Sequence, residues 1–513
     1  MRKSSFFFLI FFGIVKRSMK KICFLIFCNI IFVIRMTYGS SKAPPSSSLQ
    51  IKKIVQQELQ RIGLSQDSFG IVFGVPGSSP LYVLNENQLL KPASLTKLVS
   101  AAAFLHYFGP EKKFVTTIKA TGFQKDSILY GDLYLVGGGD PAFVSESLWN
   151  LVNNFLRSGI KEVRGQIYVD DSRFDNQLVD GGRQFTFNDR AYSAPVSAMS
   201  FNWSSINVYV RPGNKKGTLG QVYLDPETEL VKLKNKVKTV AKGPTRLMVQ
   251  RQPTKQILSK NFLFKPLETI SVEGQIALKE PEKVYYKNIR YPALWAGEQL
   301  YQFLKRRGIF VKKRKVSKKR VPENSWLVSQ WEGQSVALLV RGMLKFSNNL
   351  IAEALTKNLA YEKNKKAGAS LRAGLQWIRR YLKDRCGIKN FKMDSPSGLS
   401  KVNRFRPIDL FKLLSVIYSD FEVFPDLVSS LPLAGRDGTL KKRFSGAKGL
   451  VIRAKTGLLN GVVGVAGFGQ GRNGRITQFV LLYNKRKGDR PVAVFKLQRA
   501  MDKIITRVLR EWW

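Results

Sequence analysis

The stretch Lys91-Pro92-Ala93-Ser94-Leu95-Thr96-Lys97, with the apolar run that follows it, organises the rest of the chain. Residues 98–108 predict a helix: Leu98, Ala102 and Leu105 share a face, Pro92 suits a first-turn position, and Gly109-Pro110 is a stop signal. Ser94 and Lys97 then lie three apart on one helix surface, within reach of each other. The helix is apolar almost all round and reads as a buried core helix. Near its start a lysine is partly desolvated, which lowers its pKa and makes a neutral amine available as a base. A serine beside such an amine is a candidate activated nucleophile. The plainer reading is a first-turn serine next to a snorkelling surface lysine. Ser-x-x-Lys alone does not separate the two, because it recurs at Ser18/Lys21 and Ser445/Lys448.

At 513 residues the chain exceeds one ordinary domain, and two or three are expected. Its first 39 residues stand apart. Two apolar runs, residues 6–15 and 22–34, flank the basic Lys16-Arg17-Ser18-Met19-Lys20-Lys21. The second run has the length of a signal-peptide core and is short for a bilayer span. Met19-Lys20-Lys21 resembles a signal-peptide start, and Thr37 and Gly39 suit a cleavage site after Gly39. An uncleaved anchor is the alternative. Phe27 before Cys28 argues against a lipoprotein signal. The expectation is export to the periplasm. Outside the leader only Cys386 remains, so no intramolecular disulfide is available to the mature chain.

The formal charge is +49; removing residues 1–39 takes away seven basic residues and no acidic one, leaving +42. In an exported protein such a charge points to anionic envelope polymers or a membrane surface. The densest basic run, between Lys305 and Arg320, is accompanied by no nucleic-acid-binding motif, and a nucleic-acid partner is not expected. A solvated face is the default reading of that run.

Along the chain, residues 40–49 read as a Ser/Pro-rich tether and residues 51–63 as a helix. Residues 69–75 and 81–84 read as a hairpin around Pro76-Gly77-Ser78-Ser79-Pro80. After the serine helix the character changes. Residues 114–120, 127–136, 166–169 and 206–210 read as strands, and residues 232–249 alternate lysine with Val, Leu and Thr as a small basic β-unit. Residues 292–304 are helical again. The expected organisation is a signal peptide over 1–39, one domain made of residues 40–111 and 287–513, and a β-rich insertion over 112–286. Gly137-Gly138-Gly139-Asp140-Pro141 lacks phosphate-loop spacing and reads as a tight turn.

Two further motifs follow. Residues 336–343 and 350–359 read as helices broken at Lys345-Phe346-Ser347-Asn348-Asn349, where Ser347 or Asn348 could simply cap the second helix. Ser-x-Asn is weak alone, since it recurs at Ser200/Asn202 and Ser205/Asn207. Residues 450–454 read as a strand leading into Lys455-Thr456-Gly457, the only Lys-Thr-Gly in the chain, where glycine at a strand end lets a ligand lie close to the backbone. His106 is the single histidine and lies roughly 18 Å along the helix from Ser94. It cannot orient that serine, which rules out a Ser-His-Asp triad. One histidine and one mature cysteine also argue against a structural zinc or His-ligated metal.

Ser94-x-x-Lys97, Ser347-x-Asn349 and Lys455-Thr456-Gly457, in this order, form the three-motif set of penicillin-recognising serine enzymes. The chain resembles the D-alanyl-D-alanine carboxypeptidase/endopeptidase family of class C low-molecular-mass penicillin-binding proteins (the DacB type, peptidase family S13). Ser94 and Ser347 are 253 residues apart, far more than in β-lactamases. Gly131-Asp132-Leu133-Tyr134-Leu135-Val136-Gly137-Gly138-Gly139-Asp140-Pro141, Asp170-Asp171-Ser172-Arg173-Phe174, Tyr192-Ser193-Ala194-Pro195, Ser397-Gly398-Leu399-Ser400 and residues 433–440 also match the family. Asn348 stands where Asp is common, and Leu458 where Ser or Thr usually follows the Lys-Thr-Gly.

The resemblance implies an α+β fold of the serine β-lactamase/DD-peptidase (transpeptidase-like) type, with a five-stranded antiparallel sheet between helices and a large β-rich insertion. It implies an exported serine-type D-Ala-D-Ala carboxypeptidase, also a DD-endopeptidase, acting on peptidoglycan stem peptides, binding β-lactam antibiotics and needing no cofactor or metal. In that reading Ser94 is the nucleophile, Lys97 the base and Ser347 a proton relay. Asn349 holds the substrate peptide, Lys455, Thr456 and Gly457 bind its carboxylate end, and the N–H groups of Ser94 and Leu458 form the oxyanion hole. Asp170 is the match for an acidic residue that grips the amine of the diamino acid. A β-lactamase-like hydrolase and a non-catalytic cationic wall-binding protein are the alternatives; the long insertion argues against the first, and the completeness of all three motifs against the second.

Overall fold

Five antiparallel strands carry the part of the molecule that holds Ser94. In spatial order they are Val451–Leu459, Val462–Gln470, Ile476–Asn484, Phe69–Gly74 and Pro80–Leu84, so the first hairpin of the chain joins its last three strands. The structure is a computed structural model and describes residues 45–181, 188–253 and 266–511. The expected signal peptide and residues 40–44 of the expected tether lie outside them. The first described helix begins at Pro45 rather than near residue 51, since proline fits a first helical turn and the serines after it do not break one.

Period-2 alternation divides the sheet's side chains between two cores. Ile71, Phe73, Val463, Val465, Phe479 and Leu481 join Val55 and Leu59 of the first helix and Ile504, Ile505 and Val508 of the last, Val494–Glu511. Val72, Ala466, Phe468, Val480 and Leu482 join an all-helical cluster around Thr96–Phe108, Val336–Lys345, Asn349–Asn364, Leu371–Asp384 and Pro407–Ser419. Both faces are therefore covered, each buried Val, Leu, Ile or Phe contributing about 1.5–3 kcal/mol. This is the expected five-stranded antiparallel sheet between helices.

The inserted region has its own core. A five-stranded mixed sheet runs Val316–Lys318, Ile167–Asp170, Leu133–Val136, Val115–Ala120, Trp326–Glu332. A smaller sheet runs Phe310–Val311, Glu162–Val163, Ile128–Tyr130, Phe123–Lys125, and two three-stranded sheets follow: Gln221–Asp225, Ser205–Arg211, Lys283–Asn288, and Val231–Val240, Glu268–Ala277, Arg246–Pro253. The expected boundary at residue 286 falls inside a strand. Helix Pro292–Arg306 buries Trp295, Leu300 and Leu304 in the insert's core, and the strands from 310 to 332 pair with insert strands. The chain leaves beside its entry: Gly333 N–H donates to Phe114 O at 2.9 Å and Val336 N–H to Lys112 O at 2.8 Å. Local pattern identifies a helix at 292 but not the core on which its apolar face lands.

Gly137-Gly138-Gly139, expected as a tight turn, is an irregular stretch after strand Leu133–Val136, crowded by neighbouring backbone. A Cβ on Gly138 would lie 1.9 Å from Val115 O and one on Gly137 2.4 Å from Ala198 O. Asn358 Nδ2 reaches across from helix Asn349–Asn364 to Gly139 O at 2.8 Å.

Candidate active site

Ser94 sits in a tight turn, Ala93–Leu95, that feeds directly into helix Thr96–Phe108. Ala93 has φ +50°, a left-handed conformation that costs an alanine of order 1 kcal/mol or more. The turn is held from several sides. Thr96 Oγ1 donates to Ala93 O at 2.8 Å, and the Asn484 side chain bonds both backbone groups of Lys91. Leu95 is wholly buried, and a Cβ on Gly464 in the neighbouring strand would come within 3.1 Å of its Cδ1.

Lys97 is one turn further on and fully buried. Its Nζ lies 3.2 Å from Ser94 Oγ, 2.6 Å from Asn349 Oδ1 and 2.5 Å from Ser397 O. One amine thus ties its own turn to two segments, 252 and 300 residues further along the chain. It is a buried contact, not a snorkelling surface lysine.

The corner between helices Val336–Lys345 and Asn349–Asn364 divides its work between neighbours. Asn348 caps the second helix, its Oδ1 accepting from Ile351 N–H at 3.1 Å. Ser347 is left free of capping and takes φ +57°. Its Oγ accepts from Lys455 Nζ at 2.9 Å. Asn349 is engaged at both ends of its amide: Oδ1 accepts from Lys97, and Nδ2 donates to Tyr192 O at 2.9 Å. One Nδ2 proton remains for a ligand.

Lys455 is fully buried, bonded to Ser347 Oγ and to Thr456 O at 2.7 Å. With burial uncompensated by a carboxylate, its pKa is pushed down from 10.5 to about 7. The Lys-Thr-Gly is not at a strand end as expected. Strand Val451–Leu459 continues through it, pairing Thr456 with Val465, Gly457 with Gly464 and Leu458 with Val463.

This strand is the edge of the sheet. Residues 432–434 cover its first half: Ala434 N–H donates to Ile452 O at 2.9 Å and Ala454 N–H to Pro432 O at 3.1 Å. Even-numbered residues therefore turn their backbone groups outward, and antiparallel alternation carries this on to Thr456 and Leu458, where that cover ends. Gly457 has a role the sequence did not reveal. A Cβ there would meet Pro92 O at 2.8 Å and Ala93 Cβ at 3.3 Å, so what approaches its backbone closely is the Ser94 turn. Thr456 Oγ1 bonds Thr439 Oγ1 at 2.8 Å, adding a second hydroxyl beside the strand.

The geometry thus brings a serine hydroxyl, two buried amines, a second serine, an amide and an open strand edge into two adjoining sets of contacts, one around Lys97 and one around Lys455. The D-Ala-D-Ala carboxypeptidase 3 (S13) family matches the chain over residues 49–508. The chain belongs to this family. The D-alanyl-D-alanine carboxypeptidase of Actinomadura sp. (strain R39) is 29% identical over 445 residues, covering 83% of this chain and 79% of that one. D-alanyl-D-alanine carboxypeptidase DacB of Haemophilus influenzae is 24% identical over 425 residues, 78% and 84% of the two chains. The crystal structure of penicillin binding protein 4 (dacB) from Haemophilus influenzae superposes with a TM-score of 0.72 at 20% identity, over 89% of this chain and 99% of that one, which shows the common fold. Membership makes the chain a serine-type D-Ala-D-Ala carboxypeptidase.

Within this S13 peptidase, Asp170 stands apart from both sets. It is buried at the end of strand Ile167–Asp170, with Oδ1 accepting from Ser172 N–H at 2.9 Å and Oδ2 from Val321 N–H at 2.8 Å. Each oxygen accepts one backbone N–H of the insert, so the carboxylate ties two loops together. His106 packs its ring 5.3 Å from that of Tyr381, and burial is the main cause of its lowered pKa.

Supporting residues lie in and just after the Ser397-Gly398-Leu399-Ser400 stretch, and nothing in the sequence pattern assigns Asn403 a role. Asn403, fully buried, accepts from Asp394 N–H at 2.9 Å and donates to Ser395 O at 2.9 Å and Thr96 Oγ1 at 3.2 Å. It fixes the loop whose Ser397 carbonyl receives Lys97. Gly398 in that loop has φ +79°, and a Cβ there would sit 2.0 Å from Ala93 O.

Proposed function

We propose that this carboxypeptidase cleaves the bond between two terminal D-alanines of peptidoglycan stem peptides through an acyl-enzyme on Ser94. Lys97, as neutral amine, takes the Ser94 proton while Oγ bonds the carbonyl carbon. The peptide C–N bond then breaks, and the departing D-alanine amine is protonated through Ser347, which lies next to Lys455. Water hydrolyses the ester in a second half-reaction. The outward N–H of Leu458, with that of Ser94, is suited to the oxyanion; removing one such donor typically costs ~10²–10³ in rate. Lys455, Thr456 and Thr439 are suited to the terminal carboxylate. Asn349 orients Lys97 first and offers its remaining Nδ2 proton to the substrate peptide. The observation that carries this reading is the Lys97 Nζ contact to Ser94, Asn349 and Ser397 at once.

Labelled penicillin tests it. Wild type should be tagged covalently and Ser94→Ala should not; tagging of the variant at a comparable rate would sink the assignment. A slow release of the label separates this enzyme from a β-lactamase. Endopeptidase action on cross-links belongs to the same proposal: purified cross-linked muropeptides should yield monomers as well as free D-alanine. An exported, envelope-located enzyme fits the substrate, and the leader of residues 1–39 is suited to deliver it. Among the described residues no helix is long and apolar enough to cross a membrane. We also propose that the inserted domain runs from about residue 112 to the strand Trp326–Glu332 rather than stopping at 286.

A further inference from the structure

Strand Val231–Val240 reads Val-Lys-Leu-Lys-Asn-Lys-Val-Lys-Thr-Val. Alternation turns Val231, Val237 and Thr239 into the insert's core and leaves Lys232, Lys234, Lys236 and Lys238 exposed on the opposite face. Their Cα atoms stand ~6.6 Å apart along a line of ~20 Å. Register places Thr269, Ser271, Glu273 and Gln275 of the central strand beside them, and Gln252, Gln250, Met248 and Arg246 of the third strand beyond. Glu273, 3.2 Å from Lys236, is the one acid in these three rows. Among the described residues, the other three lysines have no carboxylate within ion-pairing distance.

Strand Val231–Val240 is a sheet edge, and exposed lysines on edges protect against strand pairing. That does not account for four of them. The opposite edge of the same sheet, Arg246–Pro253, turns Met248, Gln250 and Gln252 to the same side and has only Arg246 as an exposed cation there. The charge is concentrated on one edge and flanked by hydroxyls and amides that can donate hydrogen bonds.

We propose that this face binds a linear polyanion carrying phosphate at regular intervals, an envelope polymer rather than a lipid surface. The row holds lysines and no arginine; lysine binds phosphate as a point charge without a fixed bidentate geometry, which suits successive phosphates along a chain. The cations form a line, which matches a chain, and not a plane, which would match a bilayer. The role of Ser94 is not required for this inference; only the source of the polymer follows from the proposed envelope location.

The test uses the full chain and fluorescent long-chain inorganic polyphosphate, titrated over a salt series. Wild type should bind with a salt-dependent Kd. The variant K232Q/K234Q/K236Q/K238Q should bind at least tenfold more weakly at low salt. The slope of log K against log salt should shrink by up to about 3, at roughly 0.7 for each phosphate that a lysine no longer neutralises. The paired variants K232Q/K234Q and K236Q/K238Q should each show about half of that decrease in slope, which keeps the test decisive if the quadruple variant does not fold. Equal affinity in variants and wild type would overturn the proposal. So would a wild type that binds anionic phosphatidylglycerol vesicles through these lysines while ignoring polyphosphate. Hydrolysis of a soluble D-Ala-D-Ala peptide, measured in parallel, separates this outcome from failure of the peptidase reading: binding without hydrolysis sinks only the latter.

Discussion

The lysines around Ser94 and those of strand Val231–Val240 live under opposite conditions. Around the five-stranded sheet, Lys97, Lys345, Lys357 and Lys455 are buried, and their amines end on serines, carbonyls, an amide or a carboxylate. In the insert, Lys232, Lys234 and Lys238 stand in water, with no acid in ion-pairing reach among the described residues. Burying an ammonium costs several kcal/mol unless bonds replace its hydration or its proton leaves. The first group therefore exists where the surroundings were built for it, each amine held by its own fixed partners. The second costs little to keep and couples only through the field it projects. Chemistry belongs to the first environment and long-range attraction to the second.

The sharpest way to break this contrast is to remove one buried amine. Lys97→Ala should slow acylation by labelled penicillin by ~10²–10⁴. It also leaves Asn349 Oδ1 and Ser397 O without their donor, so a stability loss of about 1–3 kcal/mol should accompany it, read as a lower Tm. Acylation at the wild-type rate would show that the proton goes elsewhere.

Lys455 comes next. Its pKa near 7 means that the free enzyme loses the ammonium as pH rises through neutrality. kcat/KM for a peptide ending in a free carboxylate should fall above about pH 7, and the same peptide as its amide should not show this limb. Lys455→Ala should lower kcat/KM for the acid by ~10–100-fold and abolish the difference between the two profiles. The sign for stability is opposite. The unfolded lysine holds its proton up to 10.5 and the folded one releases it near 7, so unfolding free energy should rise with pH between these values and flatten in the variant.

Gly457→Ala is a smaller perturbation with a diagnostic outcome. Its Cβ would meet Pro92 O at 2.8 Å, and the Ser94 turn has to yield by a few tenths of an ångström. Acylation should fall by about tenfold with a stability cost of ~1–3 kcal/mol. If acylation is unchanged while KM for the peptide rises, the glycine serves the ligand and not the turn.

That distinction also marks the limit of the sequence. The three motifs were legible because their chemistry is borne by residue identity and order. The sheet was legible only through the family resemblance those motifs carry; strands Phe69–Gly74 and Val462–Gln470 are buried on both faces, and no local alternation pairs the two ends of the chain. What local pattern could not supply was which partner each group meets. Gly457 reads the same whether a ligand or the Pro92 carbonyl lies above it. Asn349 reads as a substrate clamp until Lys97 and Tyr192 O are found at its two ends. Asp170 reads as a recognition carboxylate, and sequence does not show that the N–H groups of Ser172 and Val321 donate to it. Helix Pro292–Arg306 is amphipathic for either core, and only the folded chain shows Trp295, Leu300 and Leu304 packing with the strands of residues 115–170.

The smallest expected effect is the one that completes the contrast. In K232Q/K234Q/K236Q/K238Q, turnover of a soluble D-Ala-D-Ala peptide should stay within about twofold of wild type, and Tm should rise or hold. Like charges ~6.6 Å apart on an exposed strand repel weakly, and at physiological salt the Debye length of ~8 Å screens the rest. Removing them therefore relieves a small repulsion and breaks at most the single pair with Glu273. The cost should surface elsewhere: residues 217–220 cover the edge of strand Val231–Val240 only at Val237–Thr239, and without its charges the remainder is more open to edge-to-edge association. Light scattering at rising protein concentration should therefore separate variant from wild type while steady-state kinetics do not. A large loss of peptide turnover with the fold intact would mean that the lysine face and the Ser94 network are coupled after all.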